Sequence, residues 1–171
     1  FVTDLGLDRI VIYDFDTREG KLIQLENGII SIAPGSGPRH FIFSSDGSEM
    51  YLINELGSTM MTFKNDHNGK LTLVQTVSTR GFNSAEKNYC ADIHAGKSGE
   101  FIYGSNRGEN SIVVFKVADD GTLSLAGNST CGGDWPSNFV IDPSGKFLLA
   151  GNQRSGNIAV FKIILFIKNS P

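Results

Sequence analysis

The stretch Gly37–Phe63, GPRHFIFSSDGSEMYLINELGSTMMTF, decides how the rest of the chain is read. It opens on a Gly37-Pro38 turn signal and runs through apolar Phe41, Ile42 and Phe43. It turns at Asp46-Gly47 and returns through Met50, Tyr51, Leu52 and Ile53 to Asn54-Glu55. This is the pattern of a β-hairpin. A strand and its antiparallel return begin and finish at one end of a sheet, so Arg39 and His40 are expected near Asn54 and Glu55. Two basic side chains then face a carboxylate.

The same plan recurs along the chain. Gly47, Gly99 and Gly145 each follow an apolar position, Phe41, Ile93 and Phe139, at one fixed distance. Each precedes a returning strand through Tyr51, Tyr103 or Leu149. Asn54, Asn106 and Asn152 come next in register, and Phe63, Phe115 and Phe161 share a later position. Phe1, Asp4 and Tyr13 take the places of Tyr51, Asn54 and Phe63 in the opening segment. A repeat of about 50 residues carrying up to four short strands is the signature of propeller blades. In the complete unit the strands are expected at 39–44, 49–53, 59–65 and 70–77, with the first lining a central channel. The chain is read as one partial domain with units of about 1–34, 35–80, 81–130 and 131–163, roughly three and a half blades. An atypical apolar tail follows at 164–171.

Composition agrees with this reading and narrows function. The chain has 171 residues, 40% hydrophobic and 10% aromatic, enough to bury a core and too apolar for disorder. Twenty glycines, only 19% charged residues and turn pairs at Asp46-Gly47, Asn68-Gly69, Asp120-Gly121 and Ser144-Gly145 favour many short strands, hence an all-β class. The net charge of −3 and the scattering of 15 basic residues give no electrostatic ground for nucleic acid. Cys90 and Cys131 form neither a disulfide framework nor a C-x-x-C pattern, so a reduced, cytoplasmic setting is expected. No charged-then-apolar leader precedes the first strand, and the run 163–167 is too short to span a bilayer, so a soluble chain is expected. The absence of Walker, dinucleotide-glycine and serine-elbow patterns argues for no cofactor.

The strings FVTDLGLDRIVIYDF, GPRHFIFSSDG, YLINEL, ADIHAGKSGEFIYGSNRGENSIVVF and FVIDPSGKFLLAGNQRSGNIAVF resemble the propeller-type 6-phosphogluconolactonases, a family that includes fungal carboxy-muconate cyclases. The resemblance runs from Phe1 to about Ile163 and implies a seven-bladed propeller, of which this chain would be about half. It implies hydrolysis of 6-phospho-glucono-lactone, with a small anionic sugar lactone as partner and neither metal nor cofactor. It places the catalytic site at Glu55, Arg107 and Arg39, with His94 nearby. Two departures stand out: a further His expected just ahead of the FVTDLG strand lies upstream of Phe1, and Ser137 occupies a position where the family often has Arg.

The residues themselves support part of this assignment. Leu5, Glu55, Arg107 and Gln153 share one column of the repeat, and such variation is not what a blade needs structurally. The adjacent Asn54, Asn106 and Asn152 do repeat, as turn residues that cap their own backbone would. Asn106, next to Arg107, is nevertheless counted with His94 and His40 as a substrate-binding candidate. An arginine fork suits carboxylate and phosphate oxygens, which favours a ligand role for Arg39. Asp8, Arg9, Arg18, Lys70, Lys97 and Arg154 are read as solvent-facing, and Trp135 as packing under a blade-joining loop. Glu55 with Asn54 and Asn106 could mimic a channel calcium site, although two arginines would oppose the cation. A muconate-type lactonising cyclase and a non-catalytic propeller fragment remain the alternative functions. Open blade edges would favour self-association, including a strand swap in which two half-chains make seven blades.

Overall fold

In the computed structural model, residues 1–66, 68–81 and 87–164 are described, and they contain 14 strands in four antiparallel sheets. The first sheet is β1 (Val2–Asp4), β2 (Arg9–Asp16) and β3 (Lys21–Ser31). The second is β4 (Pro38–Phe43), β5 (Glu49–Asn54), β6 (Thr59–Asn65) and β7 (Leu71–Ser78). The third is β8 (Tyr89–Ala95), β9 (Phe101–Arg107), β10 (Ser111–Val117) and β11 (Leu123–Thr130). The fourth is β12 (Pro136–Ile141), β13 (Phe147–Asn152) and β14 (Asn157–Lys162). Within each sheet every strand pairs with its sequence neighbour, which is the meander of a propeller blade. The strands expected in the second unit begin within one residue of the observed ones. The reading of the tail falls, beyond Ile164, on residues outside those described.

Two sets of turns set the register. Gly47, Gly99 and Gly145 close the first hairpin of their sheets with φ of 75, 77 and 73°, a conformation that costs glycine nothing. At the opposite end of the sheets, Asp8, Ser58, Asn110 and Gly156 occupy one repeat position, and all four are left-handed. The Asn column explains how three non-glycine residues are held there. Asp4 takes Arg9 Nε at 3.2 Å, Asn54 Nδ2 donates to Thr59 Oγ1 at 2.9 Å, and Asn106 Nδ2 donates to Ser111 Oγ at 3.2 Å. Each pair staples the two sides of the same turn.

The core lies between sheets, because strand side chains alternate in direction. On β5, Met50 and Leu52 meet Ile10 and Ile32 of the first sheet, while Tyr51 and Ile53 meet Ile93, Ile102 and Val113 of the third. Tyr103 and Ile112 in turn meet Phe139, Leu148 and Ala150 of the fourth. Among the described residues no strand pairs across two sheets. Apolar burial, about 1.5–3 kcal/mol for each such side chain, therefore outweighs backbone hydrogen bonding in holding the arc together.

The first strands β4, β8 and β12 stand side by side on the inner wall of that arc. The two end sheets each leave an apolar face open, with Phe15, Leu22 and Ile29 at one end and Val140, Ile158 and Val160 at the other. Among the described residues no helix is long and apolar enough to cross a membrane.

Candidate active site

The hairpin β4–β5 carries Arg39 and Glu55 to the same end of the second sheet, as its sequence requires. Arg39 Nη1 donates to Glu55 Oε2 at 2.7 Å, and Arg107 Nη2, from the end of β9, approaches Glu55 Oε1 at 2.8 Å. One carboxylate is thus bracketed by two guanidiniums from two blades. The backbone fixes each partner. Arg39 Nε donates to Ala91 O at 2.9 Å, and Arg107 Nη2 to Cys90 O at 2.9 Å. Glu55 N–H donates to Gly37 O, and Glu55 O accepts from Cys90 N–H.

Asp8, expected to face solvent, instead accepts from Gly35 and Gly37 N–H at 2.8 and 2.7 Å and shapes the loop that presents Arg39. These bonds hold its carboxyl below the usual range. Gly37 is itself required, since its φ is 62° and a Cβ there would lie 2.6 Å from Leu56 Cγ.

His40 does not join this cluster. A bulge in the β4–β5 register separates it from Pro38, and its Nδ1 lies 3.0 Å from Asp92 Oδ1 on β8. Asp92 Oδ2 is 3.2 Å from His94 Nε2 and accepts from Phe139 N–H of β12 at 3.1 Å. A single carboxylate therefore ties the inner strands of three sheets, and both imidazoles stand on the channel wall with about 40% of their side-chain surface open. Burial pushes the Asp92 carboxyl up, but the hydrogen bonds from His40, His94 and Phe139 outweigh it and hold the group well below the ordinary 3.8.

Asn106 lies elsewhere than expected of a substrate contact. It is fully buried, its Oδ1 accepting from Thr79 Oγ1 and Asn88 Nδ2 and its Nδ2 donating to Thr79 O. Its place is in a polar knot beneath Arg107. The calcium alternative fails on the same geometry. Both Glu55 oxygens are paired with guanidiniums, whose charge opposes a cation, and Asn54 and Asn106 are fully enclosed away from them. The buried thiol of Cys90 belongs to this knot and is pushed up to about 12 by burial.

Trp135 is half-buried in the connection that leads into β12, its ring centroid 6.0 Å from that of Tyr89. It has a φ of 67°, its N–H donates to Asn110 Oδ1 and its carbonyl accepts from Gln153 N–H. The Arg154 guanidinium lies 3.3 Å from the indole centroid and that of Arg107 5.6 Å. Ser137 Oγ, two residues on, donates to Gln153 Oε1 at 2.7 Å.

Comparison with known proteins places this geometry. The family model described as a seven-bladed β-propeller lactonase matches residues 1–164. The chain belongs to the seven-bladed β-propeller lactonase family. It is 39% identical over 167 residues to a 6-phosphogluconolactonase of Formosa agariphila, covering 95% of this chain and 46% of that protein. A 6-phosphogluconolactonase of Bacillus subtilis is 34% identical, with 93% and 45% covered. The solved periplasmic gluconolactonase of Pseudomonas aeruginosa superposes with a TM-score of 0.89 at 32% identity, over 95% of this chain and 46% of that one. This lactonase-family chain thus spans about half the length of the curated relatives it matches. It forms the corresponding partial ring of an all-β propeller.

Sequence reasoning misses Asp92 and the stacking of Arg154 on Trp135. The signal for Asp92 is a carboxylate inside an otherwise apolar strand run, Cys90–Ile93, which is tolerated only where donors await it. Trp135 has the weaker signal of a bulky residue after Gly132-Gly133-Asp134 and before proline.

Proposed function

We propose that this site opens 6-phospho-glucono-1,5-lactone to 6-phosphogluconate, with Glu55 as the general base and Arg39 and Arg107 as the anion clamp. The observation that carries the reading is the Glu55 carboxylate held by a guanidinium on each oxygen, in a chain whose curated relatives are named for this reaction. Each carboxylate oxygen has a second lone pair that can take a proton from water. That water adds to the lactone carbonyl carbon as its proton passes to Glu55. The ring C–O bond then breaks, and the proton returns to the departing ring oxygen.

Arg39 and Arg107 keep donors outside the bonds already named, and these face the charge that develops on the carbonyl oxygen. No residue of this scheme requires a metal or cofactor to supply the base or the clamp. A phosphorylated sugar substrate suits a cytoplasmic setting. The reading is tested by the turnover of this lactone in the full-length protein and in its Glu55→Gln variant. Absence of turnover in the former, or its full retention in the latter, removes it.

A further inference from the structure

The relatives carry names for both a phosphorylated and an unphosphorylated lactone, and the bracket around Glu55 does not by itself distinguish the two. We infer that Arg154, laid against the indole of Trp135, forms a phosphate subsite beside the Arg39–Glu55–Arg107 cluster. The inference rests on the lactone-hydrolysis reading above and deepens it by naming what selects a phosphorylated substrate.

Three observations support the subsite. First, Trp135 is a bulky residue held in the left-handed region at φ 67°, a conformation that persists only where the surroundings impose it. Here the imposition is visible: Asn110 Oδ1 holds the Trp135 N–H at 2.9 Å, and Gln153 N–H holds its carbonyl at 2.9 Å. Strain of this kind, next to Arg107, places a flat aromatic face at the site mouth.

Second, the Arg154 guanidinium sits 3.3 Å from the centroid of that face, so its fork is oriented by stacking and not by a carboxylate. Among the described residues it enters no ion pair and no side-chain hydrogen bond, which leaves its donors for an incoming anion. The one acid of the preceding loop, Asp134, is engaged by Asn110 Nδ2 at 2.8 Å, and its carbonyl holds Arg154 N–H at 3.1 Å.

Third, the distances suit a sugar phosphate. The two legs through the indole, 3.3 and 5.6 Å, keep the guanidinium carbons of Arg154 and Arg107 within about 9 Å of each other. Five covalent bonds of about 1.5 Å separate the carbonyl carbon of a 6-phospho-1,5-lactone from its phosphorus, a span of roughly 6 Å. With a hydrogen bond at each end, that span reaches from a carbonyl at Arg107 to a phosphate at Arg154.

The test compares Arg154→Gln with the parent in the full-length protein, on 6-phospho-glucono-lactone and on the unphosphorylated 1,5-lactone. Loss of charge-assisted hydrogen bonds to phosphate should lower kcat/KM on the phosphorylated substrate about 10- to 100-fold, mostly through KM. The loss on the unphosphorylated lactone should be at least tenfold smaller, and Arg154→Lys should recover part of the difference. Equal losses on both substrates, or none on either, overturn the subsite. If the parent hydrolyses neither lactone, the proposed function fails and the subsite is judged by inorganic phosphate alone. Quenching of Trp135 fluorescence by phosphate in the parent but not in Arg154→Gln supports it, and equal or absent quenching overturns it.

Discussion

Replacing Asp92 by Asn keeps the shape of the side chain and removes the charge on which three inner strands converge. The wild-type carboxylate accepts from His40, His94, Phe139 N–H and Ile93 N–H, and only 9% of its side-chain surface is open. The substituted amide would offer an N–H₂ group where the partners are donors, so at least one of these bonds becomes a donor–donor contact. Hydrogen bonds to a charged group contribute about 1.5–3 kcal/mol each, but the two imidazoles are well exposed and count for less. A loss of about 2–4 kcal/mol at pH 7 is expected, dominated by the buried Phe139 N–H.

The pH dependence gives the test its specificity. The folded carboxyl titrates well below its ordinary 3.8, so the stability it contributes is present above about pH 4 and is lost as pH falls through the depressed value. Urea denaturation of the full-length protein from pH 7 down to pH 3 should show the parent losing stability on acidification more steeply than Asp92→Asn. A variant within about 0.5 kcal/mol of the parent at pH 7, with the same acid slope, would refute the idea that Asp92 joins the blades.

Two further expectations follow from burial. Asn106→Ala leaves Thr79 and Asn88 without their shared acceptor in a closed space, and should cost about 1–3 kcal/mol by denaturation while Arg107 still reaches Glu55. The 171-residue chain by itself exposes Phe15, Leu22 and Ile29 on one end sheet and Val140, Ile158 and Val160 on the other, so it should self-associate, with little turnover of the phosphorylated lactone. Light scattering of a monodisperse monomer would contradict that.

The strands are legible in the sequence because each unit repeats the same alternation and the same turn glycines, and a hairpin brings its two ends together whatever its surroundings. Arg39 and Glu55 are therefore predictable as neighbours from a single stretch. Arg107 is reachable only through its column in the repeat, since its meeting with Glu55 depends on the packing of one blade against the next. His40 finds a partner the hairpin does not predict, because a local register shift and a carboxylate 52 residues away both lie outside the hairpin's own pattern. Asn106 reads correctly as a turn residue and incorrectly as a ligand contact, because burial belongs to the assembled sheets. The stacking of Arg154 on Trp135 has no sequence signal beyond the two residues themselves. It arises from a strained loop meeting the end of a neighbouring hairpin.

The central claim is that Glu55, clamped between Arg39 and Arg107, takes the proton from the attacking water. Its most direct test is steady-state kinetics of Glu55→Gln in the full-length protein with 6-phospho-glucono-lactone. A positioned general base contributes about 10²–10⁴-fold, so kcat should fall by that factor while KM changes by no more than about threefold. An unchanged kcat, or a loss confined to KM, would contradict the account.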